Sequence, residues 1–182
     1  MASDARDNPF QILGLEPSLC LKPSEIDRAY LDRIATAHPD ANPDADPAVD
    51  SATLHAAKQT LKDPEGRANA LLAHLGGPSS EANKALPTTF LVEIMETREQ
   101  VEAELAQNAE AARERWGAWA DAERARYIDT LAPLFDRAAD PTGDPADNAG
   151  VRDQIRIQLN AWRYVERLAE QPLHQGPFDD RL

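Results

Sequence analysis

Apolar residues recur at intervals of three and four through most of the chain, and runs of alternating β-branched residues are nearly absent. That periodicity confines the chain to helices packed on helices, an all-α fold. Pro9-Phe10-Gln11-Ile12-Leu13 reads as a short apolar turn, and residues 14 to 22 as a connection. Pro23-Ser24-Glu25 opens a helix whose apolar face is Ile26, Ala29, Tyr30, Ile34 and Ala37. It stops near His38, because Pro39 disfavours helical geometry in its predecessor. Residues 40 to 50, rich in Asn, Asp and proline, read as a loop. A helix over 51 to 62 follows, with Leu54, Ala57 and Leu61 on one side. Asp63-Pro64 then restarts the chain into a shorter helix closed by Gly76-Gly77.

Pro78-Ser79-Ser80 and Leu86-Pro87 bracket a polar stretch, the expected boundary between domains. Three longer helical patterns follow, over about 88 to 105, 109 to 138 and 149 to 171, with Pro133 placed to kink or shorten the second. The loop from Asp140 to Pro145 separates the last two, so a three-helix bundle is expected. The division is therefore residues 1–77, a linker at 78–87, a bundle at 88–172 and a tail at 173–182. A length of 182 residues suffices for two small cores.

Composition removes several functions. Nineteen Lys and Arg against 32 Asp and Glu leave a net charge of −13, which argues against nucleic acid as a partner. The single cysteine, Cys20, excludes a disulfide framework and a cysteine-rich metal site, and reads as a small buried hydrophobe. Four scattered histidines, His38, His55, His74 and His174, show no ligand spacing. No apolar run reaches the ~20 residues of a membrane span, and the N-terminus lacks the apolar core of a secretory signal. The expectation is a soluble, cytoplasmic chain without a cofactor of its own.

Two features carry specific chemistry. His38-Pro39-Asp40 stands where an amphipathic helix gives way to a loop and a second helix. Proline fixes the backbone between an imidazole and a carboxylate, and both can hydrogen-bond outward to a partner. A metal-dependent hydrolase built on His38 and Asp40 would need further His and Asp ligands that the chain does not offer. On the first helix of the bundle, ~100° per residue places Phe90, Ile94, Thr97, Val101 and Leu105 on one stripe, the expected core seam. Leu91, Val92 and Met95 fall outside it, rimmed by Glu96, Arg98 and Glu99. Val92 points about opposite to the seam; the set forms a small docking patch, or Leu91 and Met95 merely widen the core face. Trp116, Trp119 and Trp162 read as core of the bundle.

The segment from Asn8 to Leu15, the helix through Tyr30, His38-Pro39-Asp40 and the run from Ala56 to Pro64 together resemble a J-domain. Arg67-Ala68 with Leu71-Leu72, and then Phe90 to Glu99, narrow the resemblance to the HscB-like co-chaperones of iron–sulfur cluster assembly. It covers nearly the whole chain. It implies an adaptor rather than an enzyme, with an N-terminal J-domain hairpin and a C-terminal three-helix domain. His38, Pro39 and Asp40, helped by Arg28 and Arg33, would contact a DnaK/HscA-type chaperone and stimulate its ATPase. Leu91, Val92, Met95, Glu96, Arg98 and Glu99, with Tyr164 on the last helix, would hold an IscU-type scaffold protein. A general J-domain co-chaperone with other clients shares the same front half.

Two departures stand out. J-domains usually carry a cationic second helix, but here Asp27 and Asp32 interrupt Arg28 and Arg33, and residues 1–77 sum to −5. Long-range steering toward an acidic chaperone surface is therefore weak. The cysteine-bearing extension of some relatives is missing, which implies the bacterial type of architecture.

Overall fold

The computed structural model describes residues 8–37 and 51–170, and these form seven α-helices with no strand among them. They are α1 (Pro9–Leu13), α2 (Pro23–Ala37), α3 (Ser51–Lys62), α4 (Pro64–His74), α5 (Phe90–Gln107), α6 (Ala109–Ala139) and α7 (Pro145–Glu170). The all-α expectation holds.

Local chemistry sets most of the ends. The apolar turn at 9–13 is a short helix, capped by the Asn8 side chain and closed by Gly14 in left-handed geometry. Asp63 caps α4 by accepting from the Gly66 amide, with Pro64 at the first helical position. At the other end the Gly76 amide donates to the Ala73 carbonyl and the Gly77 amide to the Leu72 carbonyl. With Gly76 at φ 72°, this is a Schellman closure. Asn108 ends α5 and caps α6, so two long helices reverse direction across one residue.

Two boundaries differ from expectation. α7 starts at Pro145 rather than Ala149, because Asp144 accepts from the Ala146 amide and proline suits a first helical position. α6 continues past Pro133 to Ala139, so that proline does not shorten it. Pro133 and Asp129, whose carbonyl loses its usual donor, both lie on the exposed side of the helix.

α2 and α3 form an antiparallel hairpin. Asp27, early in α2, meets Lys58 and Lys62 late in α3 at 2.9 and 3.0 Å, while Tyr30 packs edge-on to His55. Ile26, Leu54 and Leu61 seal the space between them with Phe10 from α1. Arg67, buried on α4, donates to the carbonyls of Leu19 and Leu61, tying the 14–22 connection to the hairpin. Cys20 in that connection is exposed, not buried as its isolation suggested; Leu19 beside it takes the inward position.

α5, α6 and α7 pack together as a bundle. Trp162 is fully buried and stacks on Tyr127 at 5.3 Å, and Trp116 is buried against Val101, Ala112 and Leu168. Trp119 is half-buried, edge-on to Trp116. The larger buried cluster does not stop at the 78–87 stretch. It runs from Phe10, Leu54 and Leu72 into Leu131, Ile155 and Trp162, with α4 lying against α7.

Candidate functional site

Tyr164 and the start of α5 are brought together by the packing of α7 against α5. The Tyr164 ring lies edge-on to Phe90, with centroids 6.0 Å apart, and remains 42% exposed. Phe90 and Val101 are buried, and Ile94, Thr97 and Leu105 are half-buried, so the five-residue stripe does form the seam. Leu91, Val92 and Met95 are 51%, 60% and 63% exposed, which places them outside the core, on the turn and a half of α5 that begins at Phe90, the residue the Tyr164 ring meets. Several large apolar side chains exposed so close along one helix mark a candidate docking surface. Glu96 and Glu99 are exposed around it. Arg98 is half-buried along its stem and paired to Glu102 at 2.8 Å, so its guanidinium already has a carboxylate.

Just before α5, Thr89 adopts the left-handed region (φ 71°). Its hydroxyl donates to Glu93, and its carbonyl accepts from the Val92 amide. The first turn, which bears Leu91 and Val92, is thereby held from both ends.

At the N-terminal hairpin, His38, Pro39 and Asp40 lie outside the described residues. Of their expected helpers, Arg28 is exposed and sits 4.0 Å from Asp32, an exposed pair that offsets little. Arg33 turns back over α1, where its guanidinium packs against Gly14 and donates to the Gln11 carbonyl at 3.5 Å. The α2 face that remains free carries Leu31, 62% exposed and one turn beyond Arg28. Leu31 is not on the 26/30/34 stripe, and that offset was its only mark in the sequence.

A second polar constellation joins the two halves. Glu65, buried on α4, accepts from Asn69 and pairs with Arg163 of α7 at 3.2 Å. Burial pushes its carboxyl above the ordinary 4.5, and the Arg163 charge only partly offsets this. Arg156, also buried, donates to Asn69, and Arg152 donates to the Leu75 carbonyl at 2.7 Å. Asn160 reaches the carbonyls of Asn83 and Ala85 in the connecting stretch. Arg152, Arg156, Asn160, Arg163 and Arg167 follow one another at helical spacing, a polar stripe legible in the sequence but unassigned there.

Among the described residues no group of three His, Cys, Asp or Glu could hold a metal ion, and no helix is long and apolar enough to cross a membrane.

A hairpin preceding a bundle with an exposed apolar patch agrees with the sequence comparisons. The DnaJ domain model matches residues 8–70, and that of the HSCB C-terminal oligomerisation domain matches residues 86–171. The chain is thus of the J-domain co-chaperone class. A co-chaperone protein HscB homolog from Paraburkholderia xenovorans is 37% identical over 149 residues, covering 77% of this chain and 84% of the relative. One from Paraburkholderia phymatum is 35% identical over 173 residues, covering 89% and 96%. One from Bordetella pertussis is 28% identical over 174 residues, covering 92% and 95%. No solved structure matches. The chain belongs to the HscB co-chaperone family.

Proposed function

We propose that this co-chaperone holds an IscU-type iron–sulfur scaffold on the patch of Leu91, Val92, Met95 and Tyr164, rimmed by Glu96, Arg98 and Glu99. It presents that cargo to a DnaK/HscA-type chaperone in the cytoplasm. His38, Pro39 and Asp40, helped by the exposed Arg28, with Arg33 placed more for structure, trigger the chaperone's ATPase. Hydrolysis belongs to the chaperone, and any cluster is ligated by the scaffold. The domain division at 78–87 serves this function by separating the two docking surfaces. Carrying both on one chain raises the effective concentration of scaffold at the chaperone.

The observation that carries the reading is the exposed apolar trio at the start of α5, where Phe90 meets the half-exposed Tyr164 ring. Interface anchors are aromatic or aliphatic side chains of this kind, and truncating a central one costs ~2 kcal/mol or more. Leu91→Ala combined with Met95→Ala should weaken scaffold binding about thirtyfold or more by calorimetry, with the helical signal unchanged. His38→Gln should leave that affinity intact and abolish stimulation of chaperone ATP turnover. Full stimulation by His38→Gln, or an unaltered scaffold affinity in the double variant, would reject the respective half of the assignment. Because residues 1–77 are acidic overall, association with the chaperone should depend less on salt than a steered encounter does.

A further inference from the structure

A groove of about 1780 Å³ runs between the N-terminal helices and α7 and reaches Tyr164. That is beyond the ~300–1,000 Å³ of a small-molecule pocket and is suited to a length of chain. Lys84, Arg156, Arg163 and Arg167 line it, against Asp63 and Glu65. In a chain of net charge −13 this is a local inversion of sign.

The two carboxylates are already engaged. Asp63 accepts from the Gly66 amide, and Glu65 is shared by Asn69 and Arg163. Lys84 and Arg167, both exposed, form no ion pair among the described residues. Arg156 is the sharper case. It is 4% exposed, its hydrogen bond among the described residues runs to the neutral Asn69 side chain, and its Nε is buried with no partner there. The nearby Glu65 charge favours the guanidinium, but that carboxylate makes its ion pair with Arg163 and burial outweighs its effect on Arg156. A guanidinium taken out of water with so little compensation is costly, and a second anion lodged beside it offsets that cost. A neutral or basic occupant would not.

We infer that the groove holds an acidic, extended segment of the same protein partner that sits on the Leu91–Met95–Tyr164 patch, with its carboxylates over Arg156 and between Lys84 and Arg167. Groove and patch share Tyr164, so one partner can cover both. The identity of that partner rests on the docking reading above; the acidic preference of the groove does not.

The test uses the full chain, a fluorescein-labelled dodecapeptide of alternating Glu and Gly, and its Gln-for-Glu counterpart, followed by anisotropy. The acidic peptide should bind saturably and more tightly than the amide one, although the chain as a whole repels it. Binding should weaken as the Debye length drops from about 30 to about 8 Å between low and physiological ionic strength. Lys84→Glu with Arg167→Glu should lower it about tenfold or more, and Lys84→Gln with Arg167→Gln by a smaller factor. Both pairs are on the surface, and unchanged circular dichroism verifies their fold. Leu91→Ala with Met95→Ala should leave peptide binding untouched while weakening the scaffold, which separates failure of the groove from failure of the patch. Equal binding of the two peptides, indifference to charge reversal, or loss in the Leu91/Met95 variant would overturn the groove. An IscU-type scaffold whose affinity ignores the Lys84/Arg167 reversal would overturn the assignment of the segment to that partner.

Discussion

At the scale of single residues, two carboxylates respond to folding in opposite directions. Hydrogen bonds from Lys58 and Lys62 hold Asp27 below its ordinary 3.8. Its contribution to stability is therefore present above that value and lost as pH falls through the lower, folded one. Glu65 is raised above 4.5, chiefly by burial. Its ionised form is the costly one in the fold, so stability from this site rises as pH drops through the folded value toward 4.5. Glu65→Gln should erase that segment of the pH profile in urea titrations. At neutral pH it should cost less than about 1 kcal/mol, because Arg163 is largely exposed and can turn to water. Glu65→Ala also removes an acceptor from Asn69 and should cost about 2–3 kcal/mol. A wild-type pH profile in the Gln variant would contradict the assignment.

Helix ends were the most legible elements, since caps are local. Asp63, Pro64 and the Gly76-Gly77 pair each sit where the sequence alone places a start or a stop, whereas the cap at Asn8 went unread. Gly77 is the more demanding of the pair. A Cβ there would fall 2.2 Å from Leu72 Cδ1, and Leu72 is buried in the core. Gly77→Ala should therefore destabilise by about 1–3 kcal/mol in chemical denaturation, as overpacking does. Gly117 offers the contrast: it sits on the exposed face of α6 with nothing within 4 Å of the added carbon. Gly117→Ala should stabilise by up to about 1 kcal/mol through helix propensity. The start of α7 was misjudged because Asp140 to Pro145 contains every usual loop residue. Only the cap made by Asp144 shows that helix begins inside it.

For the whole molecule, the unexpected feature is a shared core. Two small hydrophobic interiors were anticipated, yet buried residues continue from α4 into α6 and α7. All three tryptophans belong to the C-terminal half, so their fluorescence can report on a lesion made in the other one. Leu72→Ala in α4 should lower the tryptophan unfolding midpoint together with the helical signal, by about 2–5 kcal/mol. A tryptophan transition that stays in place while part of the helicity is lost would show two independent halves. The polar stripe on α7 has a consequence at the same scale. Arg163 binds α4 while its neighbour Tyr164 meets Phe90, so the clasp between the halves and the scaffold patch occupy adjacent residues.

Periodicity, prolines and caps alone established an all-α chain, the number of long helices and the seam of α5, because each depends on neighbours within a turn or two. The exposure of Leu91 and Met95 was open in the sequence, where the helix wheel by itself favoured a widened core face; α6 and α7 cover only the far side of α5 and so decided it. The exposure of Cys20, the retreat of Arg33 onto α1 and the burial of Arg156 opposite Asn69 likewise came from contacts between residues far apart in the chain. No local pattern encodes which helix face meets another helix, since the same stripe of arginines serves equally well toward water. Only packing removes that water and turns a charge into a constraint.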